Sequence, residues 1–419
     1  MRVIDHIVTH PGLARAADHQ VLPVRRGRLT PPRISAAMIV SHLAVSWRAL
    51  PMLIQLRAVQ AHVPLVHVEH SYTAGFVAQK VAKPHRFFTL LRTAYALFDR
   101  VAAVSAAQRD WLAMRDLVDP ARLALLRSAV DVTAFLNLPA VRHAPTVVGA
   151  IGRLDGQKGF DILIRAFRAC DRPELRLEVF GDGPERPALE ALARGDGRIT
   201  FHGRYDDPLA AMAAVDVVAM PSRWEAYGLV GLEARAAGRA LLVSGVDGLA
   251  DHMRGGATRV GQGVGAWRSA LAGLGPASLS GVAESQLRAM HLPDDSTAAW
   301  QALLRRMDVD GTPGDAADTR VRARAWLREL AERGGDGGGS VQVSETMERH
   351  FYPGLTAFWV RFLEIYDSAL TGKPTKRYVQ DLKKEREQDR IWRAKHNASE
   401  LRDTWARVTA AAPSGPVER

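Results

Sequence analysis

Three times between Thr146 and Gly203 an apolar run of strand length closes on a glycine-bearing turn: Thr146-Val-Val-Gly-Ala-Ile-Gly152, Leu175-Arg-Leu-Glu-Val-Phe-Gly-Asp-Gly-Pro184 and Ile199-Thr-Phe-His-Gly203. A fourth run, Asp216-Val-Val-Ala-Met220, leads through a polar loop into a helical pattern over Gly228 to Ala237. Strands that alternate with helices read as βαβ units in a parallel sheet, because a parallel neighbour can be reached only by a crossover long enough to hold a helix. The first half of the chain shows the same alternation, with strands at Ala36 to His42, Pro64 to Glu69 and Arg100 to Val104 and helices near Trp47 to Ala61 and Pro84 to Phe98. In open sheets of this class ligands bind outside the carboxyl ends of the strands, so the loops after these runs are where chemistry is expected.

Two of those loops carry charge in a useful arrangement. After Met220 comes Pro221-Ser-Arg-Trp-Glu225-Ala-Tyr-Gly-Leu229, and Glu233 follows eight positions beyond Glu225. A carboxylate at Glu225 can accept two sugar hydroxyls, and the backbone N–H groups of Tyr227, Gly228 and Leu229 open the helix, where a phosphate is favoured. Gly228 permits close approach of a ligand to the backbone. Glu233 lies about two turns further on, on a mostly apolar helix surface, where a carboxylate needs a partner such as a ribose diol. The bland alternative is that both are solvated helix-end charges, the commoner meaning of such a spacing. The loop after Ile151 places Gly152, Arg153 and Lys158 ahead of the amphipathic stretch Phe160 to Phe167. Cations at the mouth of a strand, next to a helix N-terminus, suit a diphosphate.

Taken in order, the Gly-Arg…Lys-Gly loop (Gly152, Arg153, Lys158, Gly159), the Gly-x-Gly-Pro turn (Gly181 to Pro184), the Phe-x-Gly strand end (Phe201 to Gly203) and the Pro-Ser-x-x-Glu…Glu-Ala segment (Pro221 to Ala234) resemble the retaining glycosyltransferases of family 4, the group 1 glycosyl transferases. The match covers Val147 to about Asp251. It implies an α/β fold of the GT-B type, with two Rossmann-like domains facing across a cleft and the nucleotide sugar held mainly by the second. By the resemblance, Arg153 and Lys158 neutralise the donor diphosphate, Glu225 binds hydroxyls of the donor sugar, Glu233 holds the ribose, and the amides near Gly228 and Leu229 contact phosphate oxygens. No metal and no cofactor are expected, the nucleotide sugar being the donor substrate. His70, in Val66-His-Val-Glu-His-Ser-Tyr72, follows a strand at the place where family members often put a histidine facing the donor sugar, which makes it the catalytic candidate beside Glu225. Glu69 and Ser71 are its neighbours in competition, since alternation sends Glu69 and His70 to opposite sides unless the turn begins there.

The domain reading is residues 1–142 for the acceptor half and 143–340 for the donor half, with 254–340 divergent or inserted. Residues 341–370 read as closing helices, with Trp359, Phe362 and Tyr366 at helical spacing, and 371–419 as a basic helical tail. That tail holds 12 Lys and Arg against 7 Asp and Glu. Gly334-Gly-Asp-Gly-Gly-Gly-Ser340 reads as a flexible linker, and Asp308-Val-Asp310 as a solvated loop rather than a metal site, having no strand before it. The chain of 419 residues is long enough for two cores, and 47% hydrophobic residues can fill them. One cysteine, Cys170, excludes intramolecular disulfides and cysteine-rich zinc sites. Met1-Arg-Val-Ile-Asp-His6 lacks the apolar core of a signal peptide, so a cytoplasmic enzyme is expected. A net charge of +11 points to an anionic partner. For this family the expected partners are the donor and a glycan or lipid-linked acceptor, with possible peripheral contact on an anionic membrane. The cations are spread along the chain and no nucleic-acid module is recognisable, so nucleic acid is not expected.

Two departures stand out. No glycine-rich loop follows the first strand, Pro11-Gly12 being a faint substitute, and Arg127-Ser-Ala-Val-Asp131 stands where relatives commonly show Pro-Asn-Gly-Val-Asp. Against a retaining transferase in surface polysaccharide assembly stand two alternatives: a nucleotide-sugar epimerase of the same fold, and a catalytically silent subunit that binds the donor.

Overall fold

The structure, a computed structural model, describes residues 2–25, 31–32, 34–60 and 63–307. The Asp308 triplet, the glycine run at 334–340, the helices expected at 341–370 and the basic tail lie outside the described residues. Almost all the described residues fall in one compact unit, Met1–Arg57 and Val63–Gly314.

That unit contains two sheets, both wholly parallel. The first has the order β1-β2-β3-β4, with β1 at Ile39–Ser41, β2 at Leu65–Glu69, β3 at Arg100–Ala103 and β4 at Leu123–Leu125. The second comprises β5 (Val147–Ile151), β6 (Arg176–Phe180), β7 (Ile199–Gly203), β8 (Val217–Met220), β9 (Ala240–Val243) and β10 (Thr258–Arg259), in the order β10-β9-β8-β5-β6-β7. Every expected strand is present, most of them shorter than expected by one to three residues at an end. The expected helices appear at Leu50–Val59, Pro84–Ala96, Phe160–Arg168 and Leu229–Ala236. Each sheet, parallel with helices between its strands, is a Rossmann-like α/β layer, as the GT-B expectation requires.

Burial explains the composition of the strands. β8 and β9 are buried at every residue, as sheets covered on both faces demand. One face of the second sheet packs under Phe160–Arg168, whose Leu163, Ile164 and Phe167 are fully buried with Trp267. The opposite face shares an apolar cluster with the first sheet, in which Val66, Val68 and Val104 meet Val218, Met220 and Leu232. The residues after Asp251 are ordered through 307 as β10, a helix at Val264–Ala272 and a 25-residue helix at Val282–Arg306 that packs on Leu229–Ala236.

The order of the second sheet decides where a site can form. The chain runs outward from β5 through β6 to β7, then returns to the other side of β5 and continues through β8, β9 and β10. β5 and β8 are therefore neighbours, and between them lies the topological switch point at which the two following loops diverge to leave a crevice.

Candidate functional site

Those two loops are stitched together by Arg223. Its guanidinium forms a bidentate pair with Asp161 at 2.9 and 2.8 Å and donates to the Gly156 carbonyl, while its amide donates to the Gln157 carbonyl. Burial works against ionisation of Asp161, but the hydrogen bonds and charge of Arg223 outweigh it and hold the carboxyl below its usual range. Gly159 makes the approach possible: at φ +67° a Cβ there would stand 2.3 Å from the Pro221 carbonyl oxygen.

The result is a direct contact between the two loops' key charges. Lys158 Nζ lies 2.6 Å from Glu225 Oε2, and Gln157 Nε2 and Ser222 Oγ approach the same carboxylate at 3.5 and 3.4 Å. Glu225 is buried, and Gly228, the N-cap of Leu229–Ala236, adopts φ +91°; glycine is required there because a Cβ would also meet Met220 at 2.9 Å and Glu225 at 3.2 Å. Gly152 at φ +148° turns the chain out of β5, and Arg153 projects into solvent, its Nε 2.5 Å from Asp155. Both cations expected to meet a diphosphate thus hold a carboxylate, Arg153 with Asp155 and Lys158 with Glu225.

The first sheet supplies the facing wall. A cleft of about 550 Å³ is lined by His70, Ser71, Phe76 and Lys80 from one half and by Arg153 and Gln157, among others, with Trp224 and Glu225, from the other. His70, Arg153 and Glu225, far apart in sequence, are brought to one cavity. Packing places Glu69 apart from His70 and Ser71, which both line the cleft. Glu69 turns into the core, where its carboxylate accepts from Tyr95 Oη at 2.7 Å and from the amides of Ser71 and Tyr72 at 2.7 and 3.0 Å. Burial opposes its charge, but the bonds with His67, Tyr95 and Ser71 keep its pKa below the ordinary value. The turn thus begins at Glu69 and leaves His70 to the cleft.

His70 is backed by a residue that sequence reasoning treated only as a strand end. Its Nε2 lies 2.8 Å from His42 Nδ1, with the rings stacked 5.1 Å apart. Desolvation by burial, then the neighbouring histidine, lowers His42 to about 3; burial lowers His70 to about 4 despite the charge of Glu69. Both imidazoles are neutral near pH 7, so His70 can exchange hydrogen bonds with hydroxyls but carries no charge. A histidine directly after β1 beside one directly after β2 becomes a signal only once the two strands are known to be adjacent.

The remaining candidates lie deeper. Tyr227 is buried with its ring 4.8 Å from that of His252, and its carbonyl accepts from His252 Nε2 at 3.0 Å, so its backbone rather than its side chain is what the loop can offer. Leu229 is partly buried at the first turn of the helix. Glu233 is 1% exposed and faces Arg2, whose guanidinium is 2.5 Å away. Burial raises its pKa, and Arg2 offsets only part of that rise. The carboxylate expected to hold a ribose is therefore paired with this chain's own arginine. Among the described residues no group of three or more His, Cys, Asp and Glu side chains could hold a metal ion, and no helix is long and apolar enough to cross a membrane.

Comparison with known proteins bears on the second half above all. The family described as "Glycosyl transferases group 1" matches residues 145–272. The chain is 32% identical over 206 residues to a D-inositol 3-phosphate glycosyltransferase of Mycobacterium sp. (strain KMS), covering 43% of this chain and 46% of the relative. It is 34% identical over 139 residues to granule-bound starch synthase 1 of Arabidopsis thaliana, covering 32% and 22%. The chain thus spans about half the length, or less, of these curated relatives. Among solved structures, a sucrose-phosphate synthase from Thermosynechococcus elongatus aligns over 62% of this chain and 70% of its own, at TM-score 0.48 and 24% identity. Anabaena HepE in complex with UDP aligns over 62% and 76%, at 0.47 and 19%.

Proposed function

We propose that this chain, whose residues 145–272 match the family of group 1 glycosyl transferases, moves a sugar with retention of configuration from a nucleotide-sugar donor to a glycan or lipid-linked acceptor, without a metal ion. The observation that carries the reading is the Lys158–Glu225 pair at the switch point of the second sheet, opening on the same cleft as His70.

The pair gives each partner a role when a donor arrives. The diphosphate is a stronger anion than a carboxylate and draws Lys158 and Arg153 from Glu225 and Asp155, and the released Glu225 accepts donor-sugar hydroxyls. Cations fixed where the leaving group gathers charge lower the barrier to breaking the glycosidic bond, commonly the largest catalytic contribution. His70, neutral and held by His42, offers a hydrogen bond to the sugar from the opposite wall. Glu233 exchanges Arg2 for the ribose diol. An acceptor hydroxyl then enters from the open side of the cleft, past Phe76, Lys80 and Trp224. The net charge of +11 suits an acceptor displayed on an anionic membrane, and surface polysaccharide assembly on the cytoplasmic side is the setting we propose.

The test is a thermal-shift screen of the full chain against UDP-, GDP-, ADP-, TDP- and CMP-sugars, followed by turnover with the donor that binds. Donor consumption that requires an acceptor supports the transferase. Isomerisation without acceptor would replace it with an epimerase, and binding without consumption with a silent subunit.

A further inference from the structure

Asp247, at the end of the loop after β9, touches both walls of the cleft. Its Oδ2 accepts from Thr73 Oγ1 at 2.7 Å, its Oδ1 from the amide of Gly75 at 3.1 Å, and Oδ2 again from the amide of Glu225 at 3.4 Å. Thr73 and Gly75 lie three and five residues beyond His70, at the start of the helix Ala74–Lys80 that carries Phe76 and Lys80 into the cleft. One carboxylate therefore joins the loop following His70 to the loop bearing Glu225.

The backbone shows that this contact is imposed rather than incidental. Asp247 is one of two described non-glycine residues at positive φ, at +42°, a region that residues with a Cβ seldom adopt and that Asp enters when its side chain is held by local hydrogen bonds. Gly75 is what lets the first half reach it: a Cβ there would lie 2.6 Å from Asp247 Oδ2 and 2.8 Å from Trp224 Cβ. The carboxylate is half-buried: burial and the nearby charge of Glu225 raise its pKa, and the three donors offset only part of that rise.

We propose that Asp247 is a positioning residue that fixes the width of the cleft, holding His70 and Glu225 at a set separation and keeping water from the donor sugar until an acceptor enters. The inference rests on the transferase reading only for its chemical consequence. With the clasp open, water attacks the sugar's anomeric carbon. A C–O bond to water oxygen forms as the bond to the diphosphate breaks, the nucleoside diphosphate leaves with the bonding pair, and the water proton passes to solvent.

Two variants of the full chain test this. Asp247→Gly removes the side chain and relieves the backbone, so it should fold; Asp247→Asn keeps the shape and half of the acceptor capacity. Hydrogen exchange at the Gly75 and Glu225 amides should accelerate about tenfold or more in the glycine variant and less in the asparagine variant, as expected when hydrogen bonds to a charged acceptor are lost. UDP release from UDP-glucose without an acceptor should rise several-fold in Asp247→Gly, while the thermal shift given by UDP stays as in the wild type. Unchanged exchange at both amides would overturn the clasp whatever the enzyme turns over. Faster exchange with unchanged UDP release would overturn the positioning role and leave a structural one. A wild type that neither binds nor hydrolyses UDP-glucose would count against that donor alone, the exchange result still deciding for or against the clasp.

Discussion

Lys158 Nζ stands 2.6 Å from Glu225 Oε2, although the two residues leave different strands and are separated by two complete βαβ units. The cation that a donor diphosphate needs and the carboxylate that its sugar needs hold each other until the donor arrives, which leaves neither charge unpaired in the free protein.

Removing either partner should therefore damage catalysis more than folding. Glu225→Gln and Lys158→Met are expected to lower kcat/KM by about 10²–10³, the usual loss when one preorganised electrostatic contact is removed. Melting temperatures should move far less, because each variant leaves a single charge at the wall of the cleft, which admits water. Steady-state kinetics beside calorimetry decide the matter, and full activity in either variant would remove both residues from the site.

Acid should destabilise the protein through the His42–His70 pair. Both imidazoles are harder to protonate when folded, with His42 at about 3 and His70 at about 4 against about 6.5 unfolded. Between about pH 6.5 and 4 the unfolded chain binds more protons, so stability is complete above that window and falls as pH drops through it. Melting curves from pH 8 to 4.5 should fall less steeply in His70→Asn than in the wild type, and parallel curves would refute the assignment.

Glu233 works in the opposite sense. Its folded pKa is raised, so its contribution to stability declines as pH rises from the unfolded carboxylate value through the folded one. Glu233→Gln should consequently melt higher than the wild type at pH 8. Arg2→Ala, which strips the buried carboxylate of its partner, should melt lower yet gain more from UDP, because a ribose then replaces solvent-exposed competition. An identical UDP shift in Arg2→Ala and wild type would show that Glu233 is not the ribose ligand.

Gly159→Ala should cost well over the 1–2 kcal/mol that positive φ alone imposes, since its Cβ would press on the Pro221 carbonyl at 2.3 Å. Gly195 provides the control: its φ is +84° but nothing lies within 4 Å of a Cβ there. Denaturant unfolding of both alanine variants separates the strain of the dihedral from the contact between loops. Equal losses would mean the loop contact is weaker than the geometry indicates.

Much of this could be read from residue order. Apolar runs of four to six residues ending at Gly152, Gly181, Gly203 and Met220 define strands, and the amphipathic stretch after Gly159 defines a helix, because both depend on contacts within a few residues. The same local reading picked out Arg153, Lys158, Glu225 and Glu233 as charges at strand ends, and His70 by resemblance. The sequence by itself determined those elements and the chemical groups at their ends.

Only the tertiary structure decided what those groups meet. Strand order carries no signature in periodicity, so the adjacency of β5 and β8, and with it the Lys158–Glu225 pair, came from the way the sheet packs. The inward turn of Glu69, the stacking of His42 on His70, the hold of Arg2 on Glu233 and the clasp at Asp247 all join residues from separate elements. Such contacts arise when apolar faces are buried together and the remaining polar groups must find partners in what surrounds them, a condition that each segment alone cannot express.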